Sequence, residues 1–179
     1  MHKKLLTSDE WYYDMCVQVS KKSKCLSRQI GSILVIDKTI VNQGYNGPPR
    51  GLPHCWERYA LDPKLQDLLT KDGKTPSDED IANVCPRYIA NFKSGEGLDW
   101  CVAGHAERNT LINAAREGIK TKGAKLYMSC GIPCTPCLVE IINAGIEEII
   151  VTKMEYYDIS AEYVLKNSSL KWRVYGHLK

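Results

Sequence analysis

Apolar and polar positions follow two periods along this chain, and the places where the period changes mark its elements. "SDEWYYDMCVQVSKKSK" reads as an amphipathic helix, with acids in its first turn and Ser8 as the cap candidate. "IGSILVID" and "TIVNQGYN" then alternate as strands and meet at "DK", which predicts an antiparallel pair. Helical spacing returns in "AERNTLINAAREG", which closes on Gly118, and again in "TPCLVEIINAG", which closes on Gly145. "AKLYMS" and "EEIIVT" read as strands around the second of these helices, and "SAEYVLKN" and "KWRVYG" add a last helix and strand. Strands separated by single helices imply a mixed sheet with helices packed on its faces.

One segment breaks this economy. Between Gly47 and Gly104 the chain runs far beyond the roughly 12 to 15 residues at which a structureless loop becomes suspect, so it must hold structure of its own. "DPKLQDLL" and "SDEDIANV" can supply short helices, whereas "PPRGLPH" and "KSGEGLD" are loop chemistry. The expected organisation is a single domain over residues 1–179 carrying an insert at about 48–104.

Composition narrows the function classes. The chain has 179 residues, 44% hydrophobic and 25% charged, as one compact globular domain requires. A net charge of +3 with the bases scattered among acids gives no footprint for a large nucleic acid. The insert itself is slightly acidic, with seven Lys/Arg against nine Asp/Glu between Pro49 and Trp100. "MHKKLLTSDEWYYD" has no secretory apolar core, and no later run approaches the roughly 18 apolar residues of a spanning helix. The expected location is the cytoplasm, with no membrane partner.

Eight cysteines are many for a cytosolic chain, where disulfides do not persist, and metal binding becomes their leading explanation. Cys16 and Cys130 sit in apolar runs and read as core packing. Cys134 and Cys137, in "GIPCTPCLVE", stand three apart at a helix start, where both sulfurs can face one zinc and backbone N–H groups favour thiolate. A redox pair and two buried cysteines are the plainer alternatives for that motif alone. "VAGHAERN" places His105 and Glu107 two apart, a spacing that points side chains to nearly opposite faces of a helix. A shared task therefore needs a target off the helix end. If the two helix starts converge, His105, Cys134 and Cys137 are three ligands with a fourth position for water, the arrangement of a catalytic zinc, and Glu107 has a proton to move.

The pair "HAE" with "PCTPC" resembles the cytidine deaminase superfamily, a known signature of zinc nucleobase deaminases. "RQIGSILVIDKTIVNQGYNGPPRGLPHC" is similar to its deoxycytidylate (dCMP) branch, and the likeness runs from about Ser23 to Asp158. It implies a three-layer α/β/α fold with a five-stranded mixed sheet, and zinc-dependent attack of water on C4 of cytosine with Glu107 shuttling protons to N3 and the amine. By the same likeness the backbone N–H of Ala106 suits the base carbonyl, Asn46 the sugar hydroxyl, and Ser27, Arg28 and Tyr157 the phosphate. Read without it, Asn46 before Gly47 is a turn residue. Ile132, before Pro133, departs from the polar or acidic residue of many relatives and is expected to alter the pocket rim.

The likeness further implies a second, structural zinc, for which Cys25, Cys55, Cys85 and Cys101 are the candidates, with His54 able to replace one of them. It implies activation by dCTP with Mg2+ and inhibition by dTTP at the "GYNGPPRG" loop, with Gly44, Gly47 and Arg50 in that site. Asn113 and Arg116 are candidates to couple it to neighbours in a homo-oligomer, a hexamer being expected. The rival readings are a deaminase of dCTP or of free cytidine, a tRNA adenosine deaminase, and a non-enzymatic interaction module stapled by zinc.

Overall fold

The computed structural model describes residues 5–178. Residues 1–4 and 179 lie outside it, and with them the first residues of the stretch read above as lacking a secretory core. The described residues divide into two compact units, one built from residues 5–23, 30–46 and 105–178, the other from 24–29 and 47–104.

The first unit holds the sheet. Its elements are α1 (Ser8–Ser20), β1 (Gly31–Ile36), β2 (Thr39–Tyr45), α6 (Ala106–Arg116), β3 (Lys125–Met128), α7 (Thr135–Asn143), β4 (Glu148–Val151), α8 (Ile159–Lys166) and β5 (Lys171–Val174). The strands lie in the order β2-β1-β3-β4-β5. The β1 pairings to β2 and β3 are antiparallel, and β3–β4 and β4–β5 are parallel. This is the mixed five-stranded sheet expected. Asp37 and Lys38 both adopt positive φ, 47° and 64°, the two-residue turn whose twist suits a tight hairpin.

Strand alternation sorts the core into two layers. Ile33, Val35, Tyr127 and Ile150 face α1, where Tyr12, Cys16 and Val19 bury against them together with Tyr175. Leu34, Leu126, Met128, Ile149 and Val151 point the other way, into a larger cluster with Leu111 of α6, Leu138 and Ile141 of α7, and Ala161 and Leu165 of α8. Cys16 is fully buried and its thiol is pushed up to about 12 by burial, so it is inert packing as expected. Cys130 packs at the edge of the larger cluster. The cap of α1 is Thr7 rather than Ser8, because Glu10 reciprocates from the third helical position in a capping box.

The second unit contains four short helices, α2 (Cys55–Leu61), α3 (Pro63–Thr70), α4 (Asp78–Asn83) and α5 (Pro86–Ile89). Asp62 ends α2 and caps α3, accepting from the amides of Lys64 and Leu65 while pairing with Arg58 at 2.8 Å. Two reciprocal backbone bonds close the segment on itself: Gly47 N–H donates to the Gly104 carbonyl at 3.1 Å, and Gly104 N–H to that of Gly47 at 2.8 Å. No helix among the described residues is long and apolar enough to cross a membrane.

Candidate active site

The site forms at the starts of α6 and α7. His105 is the N-cap of α6, with extended backbone (φ −73°, ψ 155°), and the helix proper begins at Ala106. The spacing of two is thereby resolved: His105 stands outside the helical rotation, which brings its Nδ1 within 3.9 Å of the Glu107 carboxylate. Cys134 is likewise the extended N-cap of α7, and Cys137 falls one turn on. Pro136 sits inside the first turn, where its missing N–H costs no helical bond.

The two helix starts converge. His105 Nδ1 lies 3.4 Å from Cys134 Sγ and 3.3 Å from Cys137 Sγ, and the three ligand atoms all lie within 4.8 Å of one another. A tetrahedral ion with Zn–S near 2.3 Å and Zn–N near 2.0 Å needs nitrogen and sulfur about 3.5 Å apart, so this donor set fits zinc. The Cys134 thiol is drawn down to about 4, first by a hydrogen bond from Cys137, with His105 and a backbone N–H adding to it. The thiolate raises His105 in turn.

Glu107 is 4% exposed, and desolvation holds its carboxyl above the usual range. A carboxyl that readily carries a proton, beside three side chains that could hold a metal ion, is what general acid–base work requires. Behind it, Thr110 donates to the Ala106 carbonyl at 2.9 Å and shares a short hydroxyl contact with buried Ser32. Gly44 of β2 passes so close that a Cβ there would lie 2.4 Å from the Thr110 amide nitrogen and 2.7 Å from the Ala106 carbonyl.

A family model described as the cytidine and deoxycytidylate deaminase zinc-binding region matches residues 6–153. The chain belongs to this family. Among relatives of this deaminase family, a deoxycytidylate deaminase of Schizosaccharomyces pombe is 28% identical over 167 residues, 93% of this chain and 44% of that protein. One from Enterobacteria phage T4 is 28% identical, covering 86% of this chain and 82% of its own. The chain thus spans less than half the length of the yeast relative. In fold it is similar to a dCMP deaminase from cyanophage S-TIM5 solved with dCMP and dUMP, at a TM-score of 0.63 and 22% identity over 97% of this chain and 99% of that one.

The remaining expected residues are placed as follows. Ala106 is fully buried and opens α6, where a first-turn amide has no acceptor within the helix. Asn46 is 8% exposed and pinned from two sides, its Oδ1 accepting the Ile30 amide at 2.8 Å and its carbonyl the Ser23 hydroxyl at 2.7 Å. Tyr157 is partly exposed in the segment before α8. Ile132 does not stand at a rim: it is 4% exposed and packs in the larger core cluster, since an apolar side chain there gains by burial. Asn113 ties α6 to β2 through the Gln43 carbonyl at 3.0 Å, and Arg116 pairs with Glu117 at 2.8 Å.

In the second unit, Ser27 shares a hydrogen bond with Tyr88 Oη at 2.7 Å, and Arg28 and Arg50 are exposed. The Cys55 thiol is pushed up to about 11, first by burial and then by the charges of Cys85, Cys101 and Cys25, so Cys55 stands within electrostatic reach of the other three. Beside them His54 stacks on Trp56, ring centroids 4.6 Å apart, and its Nδ1 is buried without a hydrogen-bond partner. Sequence reading missed Ser23, Ser32 and Thr110, whose partners lie too far along the chain for any local pattern to reveal.

Proposed function

We propose that this chain hydrolyses dCMP to dUMP and ammonia. The observation that carries the reading is the convergence of His105 Nδ1, Cys134 Sγ and Cys137 Sγ beside the buried Glu107 carboxyl. The deoxycytidylate deaminases among its relatives support the choice of nucleotide. His105, Cys134 and Cys137 would hold zinc, which when bound would supply Lewis-acid activation of water at neutral pH. Glu107 would take a proton from the attacking water and deliver it to N3 of the base, then take the proton of the hydroxyl newly formed at C4 and pass it to the amine, which leaves as ammonia. Its burial suits both pickups and both deliveries, because desolvation brings the carboxyl closer to the proton affinity of the groups it serves. Ala106 N–H holds the base carbonyl and Asn46 the sugar hydroxyl, while Ser27, Arg28 and Tyr157 carry the phosphate on the strength of the sequence resemblance alone.

The four sulfurs of Cys25, Cys55, Cys85 and Cys101 are assigned to a second, structural zinc. The orphaned buried Nδ1 supports His54 as an alternative fourth ligand. A tetrahedral site there would offset the ordering entropy of the long insert, which we treat as part of a single 1–179 domain. Regulation by dCTP with Mg2+ and by dTTP, through Gly44, Gly47 and Arg50 with Asn113 and Arg116, is proposed for a cytoplasmic homo-oligomer, a hexamer.

Incubation with cytidine, dCMP, CMP and dCTP, with uracil products measured, tests the reading. Product from dCMP supports it; product only from cytidine or dCTP redirects the substrate, and none from any of them removes the enzymatic reading. Glu107→Gln should lose activity by about 10²-fold or more while retaining its zinc, because the residue moves protons and is not a ligand. Loss of metal in that variant would contradict its role.

A further inference from the structure

The start of α7 aims two metal ligands, and its cap is drawn into that work. Its N-cap is Cys134, whose sulfur is turned to His105 and to Cys137 one turn on. The first-turn amides of a helix have no acceptor within it, and Thr135 is the first residue of this one. Its amide is satisfied from another element. Thr135 N–H donates to Asp158 Oδ2 at 2.8 Å, and the Thr135 hydroxyl makes a short bond to Asp158 Oδ1.

Asp158 is itself the N-cap of α8, where the same Oδ1 accepts the Ala161 amide at 3.0 Å. One carboxylate therefore fixes two helix starts at once. Thr135 lies between Cys134 and Cys137 in the chain, so its backbone position sets where both sulfurs stand. Groups that orient metal ligands without touching the metal commonly contribute 10- to 100-fold to its affinity.

We propose that Asp158 is a positioning residue for the metal centre, an external cap that holds the Cys134–Cys137 turn in its ligating geometry. The proposal rests on the reading of His105, Cys134 and Cys137 as zinc ligands. Asp158 is not a ligand; it acts through Thr135. Its removal should loosen the metal site beyond what the loss of a helix cap costs elsewhere in the same unit. Thr7, which caps α1 by the same kind of bond, is the matching control.

The test measures zinc release from the full chain to an excess chromophoric chelator. Asp158→Ala should release zinc about 10- to 100-fold faster than wild type, and Thr135→Val, which removes only the hydroxyl bond, by a smaller factor. Thr7→Ala should release it at the wild-type rate. Cobalt-substituted Asp158→Asn, which keeps the side chain's shape, should show a shifted ligand-field spectrum, while Thr7→Ala should keep that of wild type. Unchanged release and spectrum in the Asp158 variants overturn the proposal, as does equal acceleration in Thr7→Ala. A wild-type chain that takes up no zinc overturns the ligand assignment itself, and the proposal with it.

Discussion

Substituting Gly44 by Ala adds one methyl group at the point where β2 passes the first turns of α6. The added carbon would lie 2.4 Å from the Thr110 amide nitrogen, 2.5 Å from its hydroxyl and 2.7 Å from the Ala106 carbonyl oxygen. Favourable contact needs about 3.5 Å, so strand and helix must separate by about 1 Å. The hydroxyl can rotate away, but the two backbone atoms cannot. Overpacking of this kind costs about 1–3 kcal/mol, and for a chain of this size each kcal/mol lowers Tm by about 2–4 °C. The displaced turn carries Ala106 and Glu107, and misplacement of catalytic groups by about 1 Å can cost about 10²-fold in rate. Gly44→Ala should therefore melt several degrees lower and lose most of its dCMP turnover, and adding Thr110→Ala should not restore either. Gly47, three residues on and beyond the end of β2, would have nothing within 4 Å of an added Cβ, and Gly47→Ala should stay within about 0.5 kcal/mol of wild type. Calorimetric melting and steady-state kinetics on the three variants decide the matter. A Gly44→Ala protein with wild-type Tm and activity would refute the steric reasoning. If Gly44→Ala instead altered only the response to dCTP, Gly44 would belong to effector binding.

Asp9 receives both guanidinium nitrogens of Arg173, at 2.6 and 3.0 Å, and the Gly176 amide at 2.7 Å, which together hold its carboxyl below the usual range, the Arg173 bond contributing most. A depressed folded-state pKa gives stability that is present above the unfolded value of about 3.9 and is lost as pH falls through the folded one. Asp9→Asn should cost about 1 kcal/mol near neutrality, and urea titrations should show that difference shrinking below about pH 4; a pH-independent difference would exclude the linkage. Elemental analysis should find two zincs per chain, falling to one in Cys55→Ser, and a single zinc in wild type would remove the second site. Kinetics should give a sigmoidal dCMP dependence that dCTP makes hyperbolic and dTTP steepens, with Arg50→Ala blunting the dCTP response; a hyperbolic curve indifferent to both would reject regulation.

The sheet and the helices on it were legible because their signals are local. Alternation in "SILVI", the Asp37–Lys38 turn, and Gly118 and Gly145 closing α6 and α7 all act within a few residues of where they are read. The convergence of His105, Cys134 and Cys137 was legible for a related reason: each stands at a helix start, and helix starts can be read from the chain. Other features depend on partners that sequence distance hides. The Asp158–Thr135 bonds join residues 23 apart, and Ser32 meets Thr110 across 78. The close approach of Gly44 to α6 left no mark but the glycine itself, which fits a turn or a ligand loop equally well. α2 and α5 went unread because His54 and Cys85 stand at their N-caps, whereas α3 and α4 announce themselves with Asp62 and Ser77.

The reciprocal bonds between Gly47 and Gly104 work as a doorway of fixed width. The chain steps out at one post and back at the other, and the paired backbone fixes the distance between them. The closure entropy of a loop grows only with the logarithm of its length. Residues can then be gained or lost in exposed turns beyond the doorway, such as 71–75, at little thermodynamic cost, while Asn46 and His105, the neighbours on either side of it in the chain, keep their spacing. Variation in length can accumulate in such a segment without being felt by the residues that flank it.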